Sequence, residues 1–220
     1  MTLQAAGSAR RIGVMGGMFD PVHNGHLAVA LAAVQALGLD ELRLVPCHLP
    51  NHRAPAAASA QERLAMLRLA VEVDDRLRVD DRECRRSGIS YTVDTLTSLR
   101  AEFDSAVLVL VMGADAFASL PSWQRWQEIF GLANVLVVSR PGVLKTLPAS
   151  LQAELTQRQV ASSAQLCEQR QGSILLLNDL QWDISSTQVR EELRRPHGAV
   201  ALLPLEVSSY IRTQGLYAQD

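Results

Sequence analysis

The chain has 220 residues, a formal net charge of −2 and 48% hydrophobic residues, enough to bury a full core without staples and a length at which α/β folds are commonly one domain. That charge balance excludes the broad basic face with which a protein neutralises a nucleic-acid backbone, although one or two arginines suffice for a small anion. Cys47, Cys84 and Cys167 are scattered, odd in number and form no CxxC pair, which argues against a disulfide framework and for a reduced, cytoplasmic protein.

The first residues, MTLQAAGSARR, lack the apolar core of a signal peptide, and no apolar run approaches the roughly 18 residues of a membrane span. Residues 1–10 read as a flexible tail to a single domain. RIGVMGG (Arg11–Gly17) predicts a strand running into a glycine turn, and Leu27–Leu37 a helix ended near Gly38. LRLVP (Leu42–Pro46) is a second strand, followed by a loop, HLPNHRAPAAAS, with two prolines and little periodicity. Gln61–Val71 predicts a helix, Leu77–Val79 a short strand and Thr92–Phe103 another helix. Ala106–Gly113 is a near-continuous apolar run, the mark of a strand covered on both faces, and NVLVVSRPG (Asn134–Gly142) repeats the form. One helix over Leu151–Glu168, a strand over Ser173–Asn178 and closing helices in SSTQVREELRR and LEVSSYIRTQ complete the series.

Strands alternating with helices imply an α/β fold: a Rossmann-like, doubly wound, mostly parallel sheet with right-handed crossovers. Ligands of such sheets sit beyond the carboxyl ends of the strands. Gly16–His26, His48–Arg53, Gly113–Asp115 and Ser139–Gly142 all follow apolar strand-like runs, so these segments are expected to share one site.

GGMFDPVHNGHL (Gly16–Leu27) concentrates the unusual residues. Adjacent glycines after a strand let the backbone approach a ligand closely. Pro21 fixes a turn, and His23 and His26, three apart at a helix start, can aim together where unpaired N–H groups favour phosphate. The same turn also serves packing alone. Zinc would need a third ligand and an HExxH-like pattern. Neither the G-x-G-x-x-G loop nor the Walker pattern is present.

The stretch resembles the G-G-[ST]-F-D-P-x-H-x-G-H-[LF] signature of the nucleotidyltransferases, especially bacterial nicotinate-nucleotide adenylyltransferases, with Met18 where that family carries Ser or Thr. Near the other end, ISSTQVR (Ile184–Arg190) fits an ordinary S-x-x-Q helix cap. It also resembles the family's phosphate-binding I-S-S-T-x-[IV]-R. SYTVDTL (Ser90–Leu96) is similar to the family's Y-T-x-D-T-L, and GADAFASLPSWQRW (Gly113–Trp126) to a segment whose tryptophan stacks on a pyridine ring. Trp123 is the better match by spacing, Trp126 being the better core residue. HLPNHR (His48–Arg53) resembles a loop usually ending P-H-K, with Asn51 and Arg53 as departures. His197 matches nothing and reads as a solvated loop residue.

The resemblance implies transfer of AMP from ATP to nicotinate mononucleotide, giving the dinucleotide and pyrophosphate in NAD biosynthesis. His23, His26 and Arg190 would be catalytic. ATP would meet Gly16, Gly17, Phe19, Gly25, Gly113, Asp115, Arg140, Ser186 and Thr187, with Arg140 otherwise a surface arginine. The mononucleotide would meet Arg53, Thr92 and Trp123. Mg²⁺ is expected to arrive mainly on the ATP phosphates, since no carboxylate cluster suggests a metal cage. No nucleic-acid or membrane partner is expected. Related enzymes with other phosphorylated acceptors (nicotinamide mononucleotide, phosphopantetheine), and a non-catalytic nucleotide sensor on the same fold, are the alternatives.

Overall fold

In the computed structural model, residues 9–49, 55–139, 147–178, 184–195, 198–199 and 201–218 are described. They build six strands: β1 (Arg11–Gly17), β2 (Glu41–Pro46), β3 (Leu77–Val79), β4 (Val107–Gly113), β5 (Asn134–Val138) and β6 (Ile174–Leu177). These form one parallel sheet in the order β3-β2-β1-β4-β5-β6. This is the doubly wound order anticipated from the alternating elements. The helices are α1 (Asn24–Leu37), α2 (Ala60–Ala70), α3 (Arg82–Arg85), α4 (Thr92–Glu102), α5 (Ala114–Ala118), α6 (Ala149–Arg158), α7 (Ser163–Glu168), α8 (Ser186–Leu193) and α9 (Leu205–Gln214).

The apolar strands sort their side chains by the period of two that a pleated sheet imposes. In β4, Val107, Val109 and Val111 join one core layer with α1, α2 and α9. Leu108, Leu110 and Met112 join the opposite layer with Leu96 and Leu99 of α4 and with Phe117, Leu151 and Leu155. Both faces of the central strand are therefore covered, which is why its sequence shows no alternation. Asn134 is fully buried at the start of β5, and its amide explains this: it donates to Leu166 and Gln169 and accepts from the Ser173 N–H. A buried amide with three partners is satisfied.

Two strands diverge at the centre. β1 pairs with β4 only from Arg11↔Val107 to Val14↔Leu110. Beyond that point β1 stays with β2 as far as Gly17↔Pro46, while β4 stays with β5 as far as Gly113↔Val138. The ends Met15–Gly17 and Val111–Gly113 thus part company, opening the crevice that a doubly wound sheet offers at its switch point.

One expected helix is two. The segment predicted as Leu151–Glu168 breaks after Arg158, where Gln159 is extended and bridges to Ile174 beside β6. The Val160 N–H donates to the Ile174 carbonyl at 2.9 Å, and Ser162 caps a new helix by accepting from Gln165. The run Val-Ala-Ser-Ser favours this, because serine competes for backbone hydrogen bonds inside a helix yet serves well at its start. Of the expected tail, residues 1–8 lie outside the described residues, and Arg10 donates to Glu41 at 2.7 Å.

Candidate active site

The opening motif forms the floor of the crevice. A Cβ on Gly16 would meet nothing within 4 Å, so the space above it is open to a ligand; on Gly17 it would stand 3.0 Å from the Phe19 ring. The second glycine is therefore explained by packing and the first by access. Phe19 is fully buried at φ +48°, a left-handed conformation costing a side-chain-bearing residue roughly 1–2 kcal/mol. That turn folds its ring beneath the loop, where it meets His26 edge-on at 5.0 Å.

Asp20 does not face the crevice. Its carboxylate accepts from the Ala57 and Ala58 N–H groups (2.7 and 3.1 Å) and from the Tyr217 hydroxyl (2.7 Å). Its backbone carbonyl accepts from Arg190 at 2.7 Å. One residue thus fastens the loop after β1 to the segment after β2, to α8 and to the segment that follows α9. Fully buried Arg63 adds a tie, donating to the Met18 carbonyl at 2.7 Å.

The histidines divide their positions. His23 is the N-cap of α1 and is 3% exposed; burial lowers its pKa to about 4, so the ring is neutral at pH 7. His26 stacks on it with centroids 3.7 Å apart, and its Nδ1 accepts from the His23 N–H at 3.3 Å. A neutral imidazole that accepts at Nδ1 carries its proton at Nε2. His26 lines the crevice, so this tautomer makes it a donor there. Gly25 lies behind the pair rather than in the crevice; a Cβ on it would press within 3.1 Å of His23 Nδ1 and 3.2 Å of Ile184.

Ile184 begins the second motif. Ser185 caps α8 by accepting from the Gln188 N–H, and Ser186 donates to the Pro21 carbonyl at 3.2 Å. Arg190 reaches back to Asp20 while its other terminal nitrogen donates to Thr187 at 3.3 Å. The two motifs are therefore docked on one another, with α8 and α1 presenting their N-termini side by side.

The crevice holds about 570 Å³. Of the residues singled out in the sequence, Gly16, Gly17, Phe19, His26, Gly113, Ser186, Thr92 and Trp123 line it. His23, Gly25, Thr187 and Arg190 are not part of that lining, Thr187 being exposed beside Ser186, and Asp115 faces solvent in the first turn of α5. Arg53, Arg140 and His197 lie outside the described residues. Trp123 and Thr92 line the crevice together with the loop, whereas Trp126 is absent from that lining and packs edge-on to Phe130 at 6.1 Å. Sequence reasoning gave no role to several further lining residues, among them Cys47, Glu83 and Ser90; Ser90 opens the SYTVDTL stretch, whereas Cys47 and Glu83 belong to no motif. Burial raises the Cys47 thiol above its usual range, so it stands in the wall as a protonated thiol.

Residues 14–192 match the family model described as cytidylyltransferase-like. A probable nicotinate-nucleotide adenylyltransferase of Aeromonas hydrophila is 43% identical over 94% of this chain and 96% of its own. Its namesake in Methylococcus capsulatus is 44% identical over 94% and 100%. The chain belongs to the cytidylyltransferase-like family, among its nicotinate-nucleotide adenylyltransferases. The same name attaches to a Hahella chejuensis relative at 46% identity. Among solved structures, the Plasmodium falciparum nicotinic acid mononucleotide adenylyltransferase complexed with NaAD superposes with a TM-score of 0.73 over 94% of this chain and 97% of that one. At 17% identity that likeness speaks for the fold. No helix among the described residues is long and apolar enough to cross a membrane.

Proposed function

We propose that the crevice transfers AMP from ATP to nicotinate mononucleotide, releasing pyrophosphate and leaving nicotinate adenine dinucleotide. The observation that carries this reading is the placement of His26, a neutral donor at the start of α1 beside the open backbone of Gly16, across the cleft from Trp123 and Thr92. One wall suits phosphates and the other a flat ring.

An oxygen of the mononucleotide phosphate attacks the α-phosphorus of ATP, and the bond from that phosphorus to the bridging oxygen of the β-phosphate breaks. The acceptor is already an anion at neutral pH, so no strong general base is required. What the protein must supply is alignment of two anions and donors for the charge that passes to pyrophosphate. Gly16 and Gly17 leave room for the triphosphate, and His26 donates from Nε2. Ser186, Thr187 and the first N–H groups of α8 face the same charge, while Arg190 holds α8 against the loop and adds its positive field. Neutral His23 supports the His26 ring from beneath. Phe19 and Gly113 complete the ATP side, and Thr92 and Trp123 the acceptor side; the motifs add Arg140 to the first and Arg53 to the second, and Gly25 serves the first by keeping the histidine pair in place.

Among the described residues no group of three His, Cys, Asp or Glu side chains could hold a metal ion, and the Asp20 carboxylate already accepts three hydrogen bonds. These residues suit a divalent cation, Mg²⁺ in this reading, that enters on the triphosphate rather than in a protein cage. Such an ion supplies neutralisation of phosphate charge.

The test is pyrophosphate release from ATP and Mg²⁺ with nicotinate mononucleotide, nicotinamide mononucleotide or phosphopantetheine offered separately. Turnover with the first at the highest kcat/KM is the expected result. Preference for phosphopantetheine overturns the acceptor, and nucleotide binding with no pyrophosphate from any of them overturns the reaction.

A further inference from the structure

A crevice that must gather two anions keeps a carboxylate in its wall. Glu83 of α3 lines the acceptor side yet is only 6% exposed. The Thr95 hydroxyl donates to Glu83 Oε1 at 2.6 Å, and the Arg86 guanidinium donates to that hydroxyl at 2.6 Å while standing 3.9 Å from the same carboxylate oxygen. The Ser90 side chain also favours the charged form of Glu83. Ser90 Oγ in turn accepts from the His48 N–H at 3.1 Å, and the Ser90 N–H donates to the Leu49 carbonyl at 3.0 Å.

The two branches lead to different parts of the wall. Ser90 beside Glu83 holds His48 and Leu49, in the segment that follows β2. Through Thr95, Glu83 grips α4 one turn beyond Thr92, the residue that α4 presents to the crevice. Burial alone would push this carboxyl up, and the Thr95 and Ser90 hydroxyls oppose that effect. Hydroxyls that stabilise a buried carboxylate are in turn held in place by it, since leaving any of them without its partner costs more than the bond yields in water.

We propose that Glu83 is a positioning residue for the acceptor nucleotide, holding the segment after β2 and the start of α4 at the spacing that nicotinate mononucleotide requires. The proposal rests on the reading of this wall as the acceptor side. It leaves the ATP side untouched, because among the described residues the hydrogen-bond and ion-pair partners of Glu83, Thr95 and Arg86, lie outside β1, α1 and α8.

The experiment compares Glu83→Ala, Glu83→Gln and Thr95→Val with the unaltered chain. The affinity for nicotinate mononucleotide alone and for ATP alone is read by tryptophan fluorescence, and KM for each by pyrophosphate release. Losing a hydrogen bond to a buried charged group predicts roughly tenfold weaker mononucleotide binding for Glu83→Ala, with ATP within about twofold. Glu83→Gln, which keeps an acceptor oxygen, recovers most of the loss. Thr95→Val, whose side chain does not line the crevice, reproduces part of it, and the double variant Glu83→Ala/Thr95→Val is less than additive. Should Glu83→Ala fail to fold, Thr95→Val and Glu83→Gln carry the comparison. Equal losses for both nucleotides, or mononucleotide binding unchanged in every variant, overturn the proposal. If the unaltered chain binds ATP and not nicotinate mononucleotide, the acceptor reading falls first and this proposal with it.

Discussion

Gly25→Ala sets two effects against each other, and magnitudes decide between them. Gly25 is the second residue of α1, where alanine is intrinsically preferred to glycine by up to about 1 kcal/mol. Against that, the added Cβ would lie 3.1 Å from His23 Nδ1, 3.2 Å from His23 Cε1 and 3.2 Å from Ile184 Cβ. Each contact falls short of the roughly 3.5–4.0 Å optimum by several tenths of an ångström. Neither neighbour retreats easily: the His23 ring is stacked on His26, and Ile184 leads into α8, whose first residue, Ser186, donates to the Pro21 carbonyl. Overpacking of this kind costs about 1–3 kcal/mol, so the variant is less stable by about 1 kcal/mol. For a chain of this size that lowers Tm by about 2–4 °C. The larger effect is on turnover. A 1 Å misplacement can cost about 10²-fold, so a shift of a few tenths of an ångström in the histidine pair lowers kcat by about tenfold. Thermal unfolding and pyrophosphate release measure the two separately. A variant with raised Tm and undiminished turnover would show that the site accommodates the methyl group and would refute this account of Gly25.

His26→Ala is expected to lower turnover by about 10²–10³-fold with the fold intact, the scale of losing one donor to developing charge; near-normal turnover in a folded variant removes His26 from the reaction. Trp123→Ala should raise KM for the mononucleotide and leave that for ATP almost unchanged, so a change confined to ATP would reassign the residue. His23 has a folded pKa of about 4 against 6.5 unfolded. The unfolded chain therefore binds the proton first as pH falls, and stability present above pH 6.5 is lost between 6.5 and 4, by about 2–3 kcal/mol at pH 4.5. Urea unfolding at pH 7 and pH 4.5 should show this slope, and His23→Gln should lose most of it; an identical slope in both chains refutes the assignment.

The sheet was legible because its signals are local. Six apolar runs and their glycine or proline stops predict six strands, and the alternation with helices implies their parallel order. α3 and α5 span four and five residues, too few for a helical period to register. The break before α7 went unread because its cause is Ile174, which pairs with Gln159 from outside the helix. The site divides in the same way. Motifs name the residues that meet a ligand, but nothing in FDP tells that Asp20 turns inward to partners at 57, 58 and 217. Glu83 stayed hidden for the same reason: its meaning comes from Ser90, Thr95 and Arg86, and no spacing announces it. Of the glycines singled out in the sequence, Gly17 and Gly25 are closely packed, whereas Gly16 and Gly113 adjoin open space.

The bond from Tyr217 to Asp20 has a consequence for synthesis of the chain. The loop that carries Asp20 is made 197 positions before Tyr217, one of the three partners of its carboxylate. Until residue 217 emerges, that loop holds a buried carboxylate with an unfilled acceptor position, and α9 has not yet covered the α2 face of the sheet. All six strands precede Tyr217 in the chain, so a nascent chain can assemble the sheet before the loop that carries Asp20 has its last side-chain partner.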